Sequence, residues 1–161
     1  MPILTPEVIP VGPWPPLTAT PAVTDMDAED VRQIRNSCAA YMTGDNRELS
    51  PERQRAWWHG PERHRNAIWL YSTPRGEAVG YGLIRMVEGR WYATLGLLPA
   101  WRGRGYGVDI YRHLVAACPG DLHVDVLLTN SRSARAAERA GFRLLAWTGV
   151  YATLVARKGE R

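Results

Sequence analysis

Three glycines at alternate positions stand between an apolar run and a helix-like stretch. The segment 102–107 reads Arg-Gly-Arg-Gly-Tyr-Gly, after the apolar residues 95–99 and before residues 108–117, which are typical of a helix. The first turn of a helix carries unpaired N–H groups and a partial positive charge, and glycine lets phosphate oxygens approach the main chain closely. The segment therefore predicts a site for a phosphorylated cofactor.

The spacing of these glycines separates classes of nucleotide site. A Walker loop ends in Gly-Lys-Ser or Gly-Lys-Thr, which this chain lacks, and the dinucleotide fingerprint has two residues in its last gap, where this segment has one. Nucleoside triphosphates and NAD are therefore disfavoured. A plain turn rich in glycine and arginine is the alternative interpretation of the segment.

A second pattern follows downstream. Asn130 comes after the strand-like residues 122–129 and opens a helix of small residues through Ala140, which the dipeptide 141–142, Gly-Phe, closes. This pattern and the spacing Arg-x-x-Gly-x-Gly of the glycine segment together resemble the acyl-CoA motifs of the GNAT acetyltransferase superfamily. The resemblance covers residues from about 17 to 155.

The resemblance implies a single α/β domain with a mixed, splayed β-sheet flanked by helices. Coenzyme A is expected in the wedge where two strands part. We place this domain at residues 17–161, after a proline-rich arm at residues 1–16, because seven of the twelve prolines fall within the first 21 residues. Proline disfavours regular helix and central strand, and Trp14 is expected to pin the arm to the domain.

The rest of the chain predicts alternating helices and strands. Thr24 caps an amphipathic helix in which one face carries apolar residues at spacings of three and four: Ala28, Val31, Ile34, Cys38 and Tyr41. A second helix follows Ser50 and ends at Trp58. The predicted strands are residues 17–23, 66–72, 77–87, 90–98, 122–129 and a closing strand at 147–156.

The resemblance also implies which residues hold the cofactor. The pantetheine arm is expected to pair with the strand edge at residues 95–97, because an unpaired edge offers free N–H and C=O groups. The pyrophosphate is expected on main-chain amides from Gly103 to Val108. The implied cofactor-binding residues are Leu95, Gly96, Leu97, Arg102, Gly103, Arg104, Gly105, Tyr106, Gly107, Val108 and Asn130.

Transfer to an amine needs a base. An alkyl amine of pKa ~10.4 is only about a thousandth neutral at physiological pH, a deficit of roughly 4 kcal/mol. Some amine-acetylating branches of the superfamily carry a carboxylate five residues before the Asn, which here is Asp125. His123 should point the same way, so that the two could share a proton or a water. Polar and apolar alternation on a half-solvated strand explains both residues equally well.

The chain departs from the family at the general acid. The superfamily commonly has a tyrosine seven residues after the Asn, and here that residue is Ala137. Ser133, Tyr106 or water could substitute. The loss is limited because a thiol of pKa ~8.5 is an acceptable leaving group. Cys118 is disfavoured as a nucleophile because a helix C-terminus destabilises a thiolate.

The acceptor is expected near the first two helices. This region is rich in arginine and aromatic side chains: Arg32, Arg35, Arg47, Arg53, Arg55, Asn36, Trp57, Trp58 and His59. Arginines could hold a phosphate or carboxylate and a tryptophan could stack on a sugar or base. The interpretation that we favour is plainer, with Trp57 in the core and the arginines on a solvated face.

The composition of the chain limits which other partners and cellular locations are expected. The net charge of +4 comes almost wholly from arginine, with Lys158 the only lysine, so it is weak evidence for a nucleic-acid partner. Cys38 and Cys118 have no metal spacing and are expected to be reduced and packed, and no metal site is predicted. No apolar run approaches the ~20 residues that span a bilayer, so we expect a cytoplasmic protein without a membrane partner.

These observations predict an enzyme, an acyl-CoA-dependent N-acetyltransferase that moves an acetyl group from acetyl-CoA to a primary amine by direct attack. The amine could belong to a small metabolite, an amino sugar or a protein. The alternative is a non-catalytic CoA-binding regulatory domain of the same fold, which Ala137 favours. Acylation on nucleic acid is a weaker third alternative. The sequence allows a homodimer but does not decide the oligomeric state or the length of the acyl group.

Overall fold

Eight strands form one mixed β-sheet in the computed structural model, which describes residues 5–160. The order across the sheet is β1-β2-β3-β4-β5-β6-β8-β7. Neighbouring strands are antiparallel except for the parallel pair β5 and β6. The strands are β1 Glu7–Val11, β2 Trp14–Pro21, β3 Asn66–Ser72, β4 Ala78–Val87, β5 Arg90–Leu97, β6 Leu122–Leu127, β7 Arg143–Trp147 and β8 Tyr151–Ala156. The predicted fold class, a mixed sheet flanked by helices, is confirmed.

Four α-helices cover the sheet: α1 Asp25–Ser37, α2 Pro51–Trp58, α3 Tyr106–Ala117 and α4 Ser131–Arg139. Helices α1 and α2 pack with Ile68 and Tyr81 in one apolar cluster. Helices α3 and α4 contribute to a second and larger cluster around Ile110 and Leu114. The sheet is therefore buried by a pair of helices on each face, which leaves its strand ends as places for a ligand.

Strands β5 and β6 separate soon after they meet. Only two residue pairs join them, Trp91 with Leu122 and Tyr92 with His123. Beyond these pairs the edge of β5 has no neighbouring strand on that side within the described residues. The splayed sheet that the resemblance implies is therefore present, and it opens toward the carboxyl ends of both strands.

The proline-rich segment contributes to the sheet. The expected arm at residues 1–16 overlaps the hairpin of β1 and β2, and residues 1–4 lie outside the described residues. Prolines are tolerated there because β1 is an edge strand and its register shifts between Ile9 and Val11, at Pro10. The side chains of Ile9, Val11 and Leu17 are buried. The hairpin is therefore packed against the domain rather than extended away from it.

A polar contact fastens this hairpin to α3. His113 is buried, with Nε2 3.1 Å from a Glu7 carboxylate oxygen and Nδ1 2.8 Å from the Tyr71 hydroxyl. Burial lowers the pKa of His113, although the hydrogen bond with Glu7 acts in the opposite direction. A neutral ring satisfies both partners, since Nε2–H donates to Glu7 and the Tyr71 hydroxyl donates to Nδ1.

Several element boundaries differ from the sequence prediction: β2 begins at Trp14 rather than at residue 17, and β6 ends at Leu127 rather than at residue 129. The single closing strand at 147–156 is wrong, because β7 and β8 form a hairpin around a turn in which the Thr148 hydroxyl accepts from the N–H groups of Val150 and Tyr151. Helix α3 begins two residues before the predicted start, because Gly105 adopts a left-handed conformation and serves as its N-cap.

The predicted face of α1 is largely confirmed. Thr24 and Asp27 form a capping box, and Ala28, Val31 and Ile34 are buried. Tyr41 lies beyond the helix in a short 3-10 turn and is half exposed. The two cysteines are buried thiols, as predicted. Among residues 5–160, every helix is too short or too polar to cross a bilayer.

Candidate active site at the strand wedge

A cavity of about 1240 Å³ fills the wedge between β5 and β6. One part, which we call the glycine-loop end, is lined by the β5 edge, by the loop before α3 and by α4. The other part, the α1–α2 end, is lined by residues of those two helices, of the loop between them and of β3, β4 and β5. Asp125 on β6 also lines the cavity. A molecule in the wedge can therefore contact both ends at once.

The loop before α3 is built to expose main-chain N–H groups. Gly103 and Gly105 have φ angles of +74° and +89°, a region that residues with a Cβ rarely adopt. Gly105 caps α3 without any side-chain hydrogen bond. Within residues 5–160, no hydrogen bond uses the N–H groups of residues 103–108. The loop thus presents donors and a helix N-terminus to an anion, as the sequence predicts.

An aromatic cluster holds this loop from outside. The Trp14 indole N–H donates to the Arg104 carbonyl at 2.6 Å, and its ring stacks on Tyr106 with centroids 6.2 Å apart. Tyr106 packs edge-on against Trp101, and the Arg104 guanidinium lies over the Trp101 ring. Trp14 therefore fastens the hairpin to the domain, as expected, and the residue that it contacts lies in the glycine loop before α3.

Arg102 lines the cavity, but its guanidinium has partners within the protein. Nε donates to the Leu97 carbonyl and Nη2 to the Ser37 carbonyl, both at 2.9 Å. The side chain also lies over the Tyr41 ring. Arg102 therefore links the end of β5 to the end of α1. Its role at this site includes holding these two elements in place.

Three cations that the sequence analysis missed lie on α4. Arg132, Arg135 and Arg139 line the cavity at the glycine-loop end. A Cβ at Gly103 would lie 3.7 Å from an Arg132 guanidinium nitrogen, so this side chain covers the loop. Within residues 5–160 none of the three forms an ion pair. The sequence did carry a signal for this group, because a spacing of three and four residues places the three arginines on one face of a helix.

The β5 edge carries the three residues expected to pair with pantetheine, and all three line the cavity. Gly96 permits close packing there. A Cβ at this position would lie 2.6 Å from the Tyr81 ring and 3.1 Å from the Cys38 sulfur. Any larger residue would push these side chains away, so glycine keeps the edge accessible beside Leu95 and Leu97.

Asp125 and His123 lie on the same strand but in different surroundings. Asp125 is half-buried at the cavity and accepts a hydrogen bond of 2.6 Å from the Thr153 hydroxyl. His123 is buried against the Tyr92 ring, and its Nδ1 lies 3.0 Å from the Trp91 carbonyl. No direct hydrogen bond joins the two side chains within the described residues. Of the pair, Asp125 is the one in contact with the cavity.

The sequence model described as "Acetyltransferase (GNAT) family" matches residues 28–142, well over half of the chain. The chain belongs to the GNAT acetyltransferase family. The family predicted from the glycine segment and Asn130 is thereby confirmed. No curated protein sequence matches the chain.

Solved structures agree with this GNAT assignment. The GNAT domain of S. lividans PAT has a TM-score of 0.76 and 15% identity, over 96% of this chain and 98% of that one. The Vibrio cholerae spermidine N-acetyltransferase, in complex with CoA and spermine, has a TM-score of 0.74 and 10% identity, over 89% and 96%. Salmonella typhimurium yncA, with its cofactor acetyl-CoA, has 0.72 and 16%, over 90% and 95%. At these identities the likeness establishes the fold.

Other side chains surround the position at which this chain lacks the tyrosine common in GNAT proteins. Ala137 is completely buried on α4, one turn after Ser133. Tyr111 reaches from α3 into the same apolar cluster, and its hydroxyl lies 2.9 Å from the Ser133 hydroxyl. Asn130 fixes Ser133 by accepting from its main-chain N–H at 3.3 Å. Asn130, Ser133 and Tyr111 all line the cavity.

Burial also determines the protonation of this phenol. It raises the pKa of Tyr111 to about 12, against the effect of the Ser133 hydrogen bond. The phenol therefore stays protonated near neutral pH and can donate. The serine that the sequence singled out is part of a pair of hydroxyls, and its tyrosine partner comes from a helix that the motif does not include.

The candidate acceptor residues separate into two groups. Arg35, Arg53 and Trp57 line the cavity at the α1–α2 end, whereas Arg32, Arg47, Arg55, Asn36, Trp58 and His59 do not. The favoured prediction that Trp57 is a core residue holds only in part: Trp57 is half-buried, packs against the apolar cluster of α1 and α2 and also lines the cavity, whereas Trp58 is buried with Arg63 over its ring. Along the short α2 helix, successive tryptophans face different directions.

Proposed function

We propose that this protein is an N-acetyltransferase that transfers an acetyl group from acetyl-CoA to a primary amine. The observation that carries the proposal is one continuous cavity, which joins a loop of unpaired N–H groups to a half-buried carboxylate. Membership of the GNAT family supports acetyl-CoA as the cosubstrate, and relatives of the same fold have been solved with CoA or acetyl-CoA.

The residues present fit such a cosubstrate. Phosphates would lie on the N–H groups of residues 103–108, with Arg132, Arg135 and Arg139 supplying positive charge. A pantetheine arm carries amide groups, and these would pair with the β5 edge at residues 95–97, which no described strand covers and where the Leu97 carbonyl already accepts from Arg102. Bound there, acetyl-CoA supplies an activated acetyl carbon in the wedge beside β6.

Asp125 is proposed as the base. It would take a proton from the ammonium form of the acceptor, directly or through a water, and the Thr153 hydroxyl holds it in place. The amine nitrogen then forms a bond to the acetyl carbon as the carbon–sulfur bond breaks, the electron pair leaves with the sulfur, and the nitrogen gives up its second proton to water in the cavity. His123 is proposed to support this strand, because its side chain is bonded to the Trp91 carbonyl.

Ser133 is proposed as the proton donor to the departing sulfur. Its hydroxyl lies at the cavity and is hydrogen-bonded to the protonated Tyr111 phenol, which would replace the proton that Ser133 gives to the sulfur and would regain one from cavity water, where the amine nitrogen releases its own. This pair would do the work of the tyrosine that Ala137 replaces.

Four further points remain predictions from the sequence. They are the N-acyl specificity, the cytoplasmic location, the homodimer and the domain limits at 1–16 and 17–161.

Release of CoA with a panel of primary amines tests this function. The Asp125→Asn variant should lower turnover by about 10² to 10⁴-fold, the usual contribution of a general base, with unchanged affinity for acetyl-CoA. Thr153→Val, which keeps the carboxylate but removes its hydroxyl partner, should lower turnover less.

Thermal stabilisation by acetyl-CoA separates the alternatives. Stabilisation without turnover on any amine would favour the non-catalytic CoA-binding domain. Full activity of Asp125→Asn across pH would remove Asp125 from the mechanism. Binding of DNA or RNA that weakens with salt would be needed to support the nucleic-acid alternative.

A further inference from the structure

The cavity carries a large excess of positive charge. Among the described residues, seven arginines line it and only two carboxylates, Asp45 and Asp125. The three arginines of α4 and Arg102 lie around the glycine loop, where phosphates are expected. The remaining three, Arg35, Arg53 and Arg85, lie at the α1–α2 end, away from the loop.

Two of these three arginines have partners within the protein. The Arg35 guanidinium donates to the main-chain carbonyls of Asp45 and Arg47 and so holds the loop between α1 and α2. Arg53 lies 3.6 Å from the Asp45 carboxylate, which also pairs with Arg47. Both guanidinium groups are therefore held by protein atoms before any ligand arrives.

Arg85 is different. It is exposed at the cavity, and within residues 5–160 no hydrogen bond or ion pair compensates its charge. It pairs across the sheet with Asn66 on β3 and Tyr92 on β5, and both of these residues line the cavity. The three side chains share one face of the sheet, because directly paired residues point the same way. Together they offer a cation flanked by two neutral hydrogen-bonding groups.

The distance between Arg85 and Asp125 determines how long a molecule must be to contact both side chains. Tyr92 is paired with both Arg85 and His123, and Asp125 lies two residues beyond His123 on the same face. Two strand spacings and two residues of rise place the Cα atoms of Arg85 and Asp125 at least about 12 Å apart, since β6 diverges from β5 beyond His123. Both side chains line the same cavity, so a compact molecule can reach one with an amine and the other with an anion.

We propose that the acceptor is an amine that carries an oxyanion, a carboxylate or a phosphate, which Arg85 binds while the amine lies at Asp125. This inference rests on the proposed function and names its substrate class. A guanidinium binds carboxylates and phosphates through charge-assisted hydrogen bonds, in which Asn66 and Tyr92 can join. A polycationic acceptor would be repelled by the Arg85 guanidinium, because this end of the cavity offers it a positive charge instead of acidic residues.

Matched ligand pairs test the proposal on the protein saturated with CoA. γ-Aminobutyrate is compared with its amide, and aminopropyl phosphate with aminopropanol, by calorimetric binding and, with acetyl-CoA, by CoA release. The anionic member of at least one pair should bind about tenfold or more tightly than its neutral counterpart. The pair that shows the larger preference distinguishes a carboxylate acceptor from a phosphate acceptor.

Arg85→Gln should abolish this preference and leave the affinity for acetyl-CoA unchanged. Arg75→Gln is the matched control, since Arg75 is an exposed arginine in a turn outside the cavity. Equal binding of the charged and neutral members of both pairs would overturn the proposal. So would tighter binding of spermidine than of either anion, or a preference that survives in Arg85→Gln.

Failure of the proposed function would look different. If anionic amines bind in a manner that depends on Arg85 but no CoA is released, the acetyltransferase activity is refuted while the anion site stands. If CoA is released only with neutral or cationic amines, the activity stands and the anion site is refuted.

Discussion

The two ends of the cavity are built from different parts of the chain. The glycine-loop end presents main-chain N–H groups that two left-handed glycines expose. The α1–α2 end presents side chains such as Arg85 and Trp57, and a loop that α1 holds in place. A site made of main-chain N–H groups needs a particular backbone shape, and the glycines that this shape requires form a recognisable sequence motif. A side-chain site can be lined with many combinations of residues.

The largest effect is expected at the glycine loop. Gly105→Glu forces a residue with a Cβ into a φ of +89° and places a carboxylate where the phosphates are expected. Affinity for acetyl-CoA should be lost in calorimetry and in thermal shift. Gly76→Glu is the matched control, because Gly76 has a φ of +84°, equally open surroundings and a position outside the cavity.

The comparison between the two variants isolates the loop. Strain from the left-handed backbone should lower the melting temperature of both, whereas only Gly105→Glu should lose acetyl-CoA. If Gly105→Glu still bound acetyl-CoA with the affinity of the unmodified protein, the glycine-loop end would not hold the phosphates.

A smaller effect is expected at the α1–α2 end. The Asn36 side chain accepts from the Leu49 N–H at 2.9 Å and donates to the Leu49 carbonyl at 3.0 Å. Asn36→Ala removes both bonds and should loosen the loop that includes Asp45. The KM for the amine should rise by roughly tenfold, the effect of one to two lost hydrogen bonds. The affinity for acetyl-CoA should stay the same.

Gln33→Ala controls for a change on the same helix, since Gln33 is exposed and bonded only to Glu29. A rise in the acetyl-CoA dissociation constant of Asn36→Ala, without a change for the amine, would reverse the assignment of the two ends.

The smallest effect concerns the outer support of the glycine loop. Trp14→Phe removes the donor to the Arg104 carbonyl but retains an aromatic ring beside Tyr106. One net hydrogen bond is worth about 1 kcal/mol, so acetyl-CoA should bind about fivefold more weakly in calorimetry. Trp147→Phe is the control, because Trp147 is 70% exposed on β7. Equal affinities for both variants would show that the loop keeps its shape without Trp14.

Local signals in the chain predicted most of the elements. The cap at Thr24, the proline after Ser50, and Asn130 before its helix all mark starts that the structure contains. These signals work because a helix end must satisfy its own N–H groups with nearby residues. The prediction failed at two hairpins, the one that joins β1 to β2 and the one that divides the last predicted strand into β7 and β8.

The candidate site shows the same limit. Gly103, Gly105 and Asp125 could be identified from spacing, and all three line the cavity. Arg132 and Tyr111 could not be identified, because their roles depend on how α3 and α4 pack. Arg102 was expected to face phosphate, yet its guanidinium joins β5 to α1. Sequence spacing does not show which polar groups will be satisfied by distant main-chain atoms.

By itself, then, the sequence determined the family, the fold class and the backbone shape of the glycine loop, because these depend on glycine conformations and helix caps within a few residues. Only the tertiary structure decided which cations are compensated and which remain free. Arg35 and Arg85 are indistinguishable as letters, but one lies against main-chain carbonyls and the other faces an open cavity. That difference arises from packing between elements far apart in the chain, where charge and burial are determined.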